Sequence, residues 1–225
     1  MTVRKKEPSV LFILLSLAGF VLFWAMVSDA WGYSDHLSFK NGNYVYAYLV
    51  RIVWMLPAVW LILRFRDSLL LSGKELISRP VLNRLFLIML GATLLLVFSG
   101  MLIAHHGLWV NPNINPLLEL VKFAIVGIVE ETVFRGWGYN ALAKATTNKK
   151  AIVLSILFFA LVHWPAYFIK LYRFGTFDLT GMLQQSAAVV IWGVAWCWLL
   201  KKSKTLWNPI IIHVVFDYLT VLFIG

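Results

Sequence analysis

The 225-residue chain is 61% hydrophobic and 13% charged, with a mean hydropathy of +0.81, which excludes a soluble globular domain and points to a bilayer. A formal net charge of +10 does not imply nucleic acid, because the basic residues lie scattered between apolar stretches and form no aromatic-interleaved patch. The single cysteine, Cys197, excludes a disulfide framework and a cysteine-rich metal site.

Apolar runs of about 20 residues predict membrane helices, since in lipid only a helix satisfies its own backbone within one segment. The first, Pro8 to Val27, follows Arg4, Lys5 and Lys6. It is too long for a secretory leader and has no small-residue cleavage site, so it reads as a retained helix. In the second, Tyr44 to Leu63, Arg51 reads as a snorkelling side chain, with contact to a substrate carboxylate as the alternative. The third, Val81 to Ala104, ends at His105 and His106, which would point to different faces and read as loop residues, not a metal site.

The stretch Asn111-Pro112-Asn113-Ile114-Asn115-Pro116 reads as a helix start and leads into a fourth segment, Pro116 to Ala143, with Glu119 and Lys122 spaced to pair. The fifth, Ala151 to Trp164, is closed by Trp164-Pro165, because proline lacks the next helical donor. Residues Ala166 to Thr180 mix aromatics with Lys170, Arg173 and Asp178 and read as an interfacial or re-entrant piece. Leu183 to Leu200, with Cys197 as a packing residue, and Asn208 to Ile224 complete the set. The expectation is an all-α, polytopic transmembrane bundle of about seven helices, or eight if residues 166–180 cross, forming one domain over residues 1–225 with no internal repeat.

Charge sets the expected orientation. Arg4, Lys5, Lys6, Arg64, Arg66, Lys74, Arg79, Lys144, Lys149, Lys150, Lys201, Lys202 and Lys204 fall on one side, against Lys40, Lys170 and Arg173 on the other. The positive-inside bias then predicts a cytoplasmic N terminus, an odd number of crossings and an outer C terminus.

An ionisable residue at the centre of a membrane helix costs about 2.5 to 3.5 kcal/mol on insertion scales, so each one calls for a partner or a task. In Glu130-Glu131-Thr132-Val133-Phe134-Arg135, the spacing places Glu131 and Arg135 on one helix face as a salt bridge. Glu130 points about 100° away and is left over. A carboxylate neutralised by arginine is a poor base, whereas an unpaired one in an apolar setting can exchange protons near neutrality, so Glu130 is the candidate base. His163 ends the apolar run from Phe159, and His213 and Asp217 lie one turn apart on a shared face, a spacing that suits metal ligation or a hydrogen-bonded pair holding water. Together these groups could activate water. Glu130 would take its proton, the imidazoles would position it and stabilise the oxyanion, and Glu130 would return the proton to the leaving amine. Ideal helices place His163 roughly 20 Å from Lys150 but His213 roughly 12 Å from Thr205, so tilt must bring the two to one depth.

Three motifs in order, Glu-Glu-x-x-x-Arg at 130–135, Phe-x-x-x-His at 159–163 and His-x-x-x-Asp at 213–217, resemble the CPBP family. These are the CAAX proteases and bacteriocin-processing enzymes also called Abi proteins. The resemblance covers about Leu118 to Leu222, including the Leu206-Trp207-Asn208-Pro209-Ile210 lead. It implies a bacterial-type intramembrane endopeptidase in the cell membrane, acting on membrane-associated peptides or proteins. It makes Glu130 the catalytic glutamate, Glu131 and Arg135 its supporting pair, and His163 and His213 the water-positioning and oxyanion histidines. Asp217 stands where asparagine is often found. The resemblance favours a metal-free glutamic mechanism, with a divalent metal such as zinc on His163, His213 and Asp217 as the alternative. Two other functions compete: a catalytically silent immunity or scaffold protein binding a peptide or partner through the same cavity, and a proton-coupled transporter, which the lack of inverted repeats disfavours.

Overall fold

The computed structural model describes residues 7–30, 44–78, 80 and 82–224. Arg4, Lys5, Lys6, Lys40 and Arg79, which entered the charge count, lie outside the described residues. The chain is an all-α bundle: α1 (Val10–Ala30), α2 (Tyr44–Arg64), α3 (Gly73–Leu76), α4 (Arg84–His105), α5 (Pro116–Glu131), a π-helical segment (Thr132–Tyr139), α6 (Asn140–Ala145), α7 (Asn148–Leu161), α8 (Trp164–Phe174), α9 (Leu179–Ser203) and α10 (Trp207–Leu222). Among the described residues, four stretches are long and apolar enough to cross a membrane: Val10–Val27, Arg84–Ile103, Asn148–Phe174 and Leu179–Ser203.

Local chemistry sets many of the helix ends. Asn115 caps α5 by accepting from the Leu117 and Leu118 N–H groups, and Pro116 needs no donor in the first turn. Asn83 and Asp178 cap α4 and α9 in the same way. Gly175, at φ 64°, closes α8 in the left-handed conformation that glycine adopts without penalty.

Three expectations change. The fourth segment is one path but not one helix, because its middle is π-helical, with the Asn140 N–H reaching the Arg135 carbonyl. The break after α7 falls at Val162–His163, and Pro165 sits in the first turn of α8, which its fixed φ favours. The last helix stops at Leu222. Phe223–Ile224 then pairs antiparallel with Trp109–Val110 as a two-residue ribbon.

At one end of the bundle, the chain after α2 is held by Asn140, whose side chain accepts from the Leu71 N–H at 2.7 Å and donates to the Leu71 carbonyl at 2.9 Å. The loop around α3 is tied to the start of α10: the Leu206 N–H donates to the Leu76 carbonyl, and the Thr205 hydroxyl to the Ser78 carbonyl. α5 and α10 then cross closely at Gly127, where an added Cβ would lie 2.7 Å from Val214 Cγ2. Small residues permit such close helix approach, and here the approach brings Glu130 and Glu131 of α5 up to His213 of α10.

Candidate active site

Glu131 and Arg135 are wholly buried, and Arg135 Nη1 lies 3.2 Å from Glu131 Oε1. The guanidinium rests against the faces of Phe159, at 4.1 Å, and Trp196, at 5.0 Å. A planar, weakly hydrated cation suits such rings. Gly193 makes the room: a Cβ there would stand 3.3 Å from Arg135 Nη2 and 2.9 Å from Ile156 Cγ1.

The same Glu131 Oε1 accepts from His213 Nδ1 at 2.9 Å. Because a carboxylate can only accept, Nδ1 carries a proton and Nε2 is the nitrogen turned toward the remaining acids. It lies 3.3 Å from Asp217 Oδ2 and 3.8 Å from Glu130 Oε2. Trp196 stacks on the imidazole at 4.2 Å between ring centroids, with 20° between planes, which fixes the ring's tilt.

His163 follows α7 directly. Its Nδ1–H donates to the Phe159 carbonyl at 2.7 Å, and its ring meets the edge of Phe159 at 5.1 Å. A carbonyl likewise only accepts, so Nε2 is again the nitrogen left for chemistry.

Glu130, His163, His213 and Asp217 line one cavity of about 160 Å³, with Trp192, Trp196 and Gln185 among its walls. Glu130, His163 and Gln185 also bound an adjoining cavity of about 420 Å³. The expected depth mismatch between His163 and His213 is therefore absent. Two further expectations are corrected. Glu130 is not left without a neighbour, since His213 Nε2 stands within 3.8 Å. Arg51 does not merely snorkel: it lines the larger cavity and sits 5.2 Å from the Trp24 ring.

Glu119 and Lys122 do pair, and the lysine also lies over the Phe123 ring at 4.5 Å. Cys197 is fully buried as a packing residue. Among the described residues, no group of three or more His, Cys, Asp or Glu side chains has the placement to hold a metal ion. Trp196, Gly193 and Gln185 escaped sequence reasoning, because in an apolar helix a tryptophan, a glycine or a lone amide looks like packing.

The described residues thus form an apolar helical bundle with carboxylates and imidazoles facing one small cavity. Residues 112–219 match the family model Rce1-like, described as type II CAAX prenyl endopeptidase Rce1-like. Through this region the chain is similar to the CAAX protease family, and every one of the motif residues named above falls inside the match. No curated protein and no solved structure matches the chain.

Proposed function

We propose that the protein is a glutamate-dependent intramembrane endopeptidase that cleaves membrane-associated peptides or proteins. The observation that carries this reading is the shared cavity of Glu130, His163, His213 and Asp217, set above the sealed Glu131–Arg135 pair.

In this account a water molecule occupies the cavity between Glu130 and His163. Glu130 takes one proton from it while His163 Nε2 orients it, and the water oxygen attacks the scissile carbonyl carbon. The negative charge that develops on the carbonyl oxygen accepts from His213 Nε2–H, the ring being protonated at both nitrogens between Glu131 and Asp217, with its orientation held by Glu131 on one side and Trp196 on its face. Asp217 keeps His213 turned into the cavity. Glu130 then passes its proton to the departing amine nitrogen as the carbon–nitrogen bond breaks, which leaves one new carboxyl and one new amine terminus. Glu131 and Arg135 act through His213 and are positioning residues.

The basic loop around α3 is tied both to Asn140 at the start of α6 and to the basic turn after α9, at one end of the bundle. We place that end at the cytoplasmic face of a bacterial cell membrane, in keeping with the positive-inside bias. The test is to incubate the detergent-purified protein with a pool of membrane-associated peptides and read new termini by mass spectrometry. Termini that form with wild type and vanish with His163→Ala or Glu130→Gln support the reading. Identical termini from all three proteins would refute it.

A further inference from the structure

Resting on that peptidase reading, we propose that the Gln185 carboxamide is a substrate-binding group that grips a backbone peptide unit beside the scissile bond. The substrate is then extended at that point, because inside a helix the backbone N–H and carbonyl groups are already bonded to one another.

Glu130, His163 and Gln185 line both the cavity of about 160 Å³ and the adjoining one of about 420 Å³. A chain that passes from one space into the other therefore runs past the base, the water-orienting imidazole and this amide. Gln185 lies in the second turn of α9, at helical spacing from Val189, Trp192 and Trp196, which also face the smaller cavity. It is the carboxamide on an otherwise apolar stripe. The Trp164 indole N–H donates to Ser186 Oγ at 3.1 Å, and Trp164 directly follows His163. That bond ties the residue next to Gln185 to the start of α8, so the amide keeps a fixed level relative to His163.

The charged groups around these spaces are engaged with protein partners. Glu130, His213 and Asp217 face one another, His163 donates to the Phe159 carbonyl, and Asp178 Oδ1 accepts from the Gly181 N–H at 2.7 Å. Arg51, Tyr167 and Lys170 also have partners. The Gln185 side chain is half-buried and makes no hydrogen bond to another described residue. A carboxamide carries two donors and an acceptor, and leaving them unmatched in an apolar wall costs free energy that a bound peptide group offsets. Its N–H groups suit a backbone carbonyl and its oxygen suits a backbone N–H. It bears no charge, so it does not compete with Glu130 for protons.

Gln185→Met keeps the length of the side chain and removes its hydrogen bonds. Three membrane peptides test it: a parent, and two analogues in which an ester oxygen replaces the backbone N–H one residue before or one residue after the scissile bond. Mass spectrometry restricts the count to cleavage at the parent bond. Wild type should cleave at least one ester analogue with kcat/KM lower by about 3- to 10-fold, the range of one neutral hydrogen bond. Gln185→Met should lose a similar factor on the parent, cleave that ester and the parent equally well, and unfold at or above the wild-type temperature. Unchanged kcat/KM in the variant, wild type indifferent to both esters, or an ester penalty that persists in full in the variant would overturn the proposal even if the peptidase reading stands. A lowered unfolding temperature with an equal loss on all three peptides would also overturn it, as the mark of a packing residue. If wild type cleaves none of the peptides, the peptidase reading fails and Kd values for the same peptides, labelled with a fluorophore, decide. Tighter binding of the parent than of an ester, lost in the variant, supports the contact, and equal Kd values or no binding overturn it. Gln185→Ala serves where Gln185→Met yields no folded protein.

Discussion

Glu131 Oε1 lies 2.9 Å from His213 Nδ1 and 3.2 Å from Arg135 Nη1, so a single buried oxygen joins the arginine of the π-helical segment to the imidazole of α10. The carboxylate has two duties here: it neutralises a sealed cation and it sets which imidazole nitrogen faces the cavity. Glu131→Ala leaves Arg135 buried without its partner, a change that costs about 3 to 5 kcal/mol. It should therefore lose most folded protein in a thermal unfolding assay in detergent. Glu131→Gln keeps an acceptor for Nδ1–H but removes the charge. It should fold better than the alanine variant and lower kcat with little change in KM.

Asp217 holds His213 Nε2 through one oxygen at 3.3 Å, and an asparagine carbonyl can accept in the same place. Asp217→Asn is expected to keep activity within about tenfold of wild type, while Asp217→Ala loses about 10- to 100-fold, the range set by one charged hydrogen bond. Initial rates on one peptide check this. Equal losses in both variants would show that the carboxylate charge, not the hydrogen bond, matters.

Gly127 lets α5 lie against α10, and a side chain there would meet Val214. Gly127→Val should push the helices apart by a few tenths of an ångström or more, at a cost of about 1 to 3 kcal/mol. The protein should remain folded but cleave at least tenfold more slowly, because Glu130 and Glu131 are carried away from His213. Unchanged turnover with a lowered unfolding temperature would mean that the crossing matters for packing alone.

His163 and His213 have different surroundings and should fail differently. His163→Ala removes the group that orients water, and a loss of about 10²- to 10⁴-fold in kcat/KM is expected. His213→Ala removes the oxyanion donor, with an expected loss of about 10²- to 10³-fold in kcat. It also leaves Glu131 and Trp196 facing a void, so its unfolding temperature should fall further than that of the half-buried His163.

Much of this site was legible from spacing. Four residues separate Glu131 from Arg135 and His213 from Asp217, and both pairs meet at ion-pair distance. Helical periodicity alone accounts for that. The segment around Glu130 nonetheless departs from an α-helix at Thr132, and no residue there announces a π turn, whose stability comes from what packs around it. Gly136 and Gly138 show the packing after the fact: a Cβ at either would stand 3.2 Å from Ile62 Cδ1 or 3.0 Å from Leu17 Cδ2. The stacking of Trp196 on His213 was equally hidden, since it joins α9 to α10 and depends on helix rotations that one sequence does not encode. α7 ends at Leu161, three residues before Trp164, because Pro165 does not stop a helix here but opens α8.

The most direct test of the account is the initial rate of peptide cleavage by purified wild type and Glu130→Gln, each with and without a metal chelator, with folding of both proteins confirmed by their unfolding temperatures. The account predicts cleavage by wild type that the chelator leaves unchanged, and a folded Glu130→Gln protein with no measurable turnover. Near wild-type turnover by Glu130→Gln would contradict it.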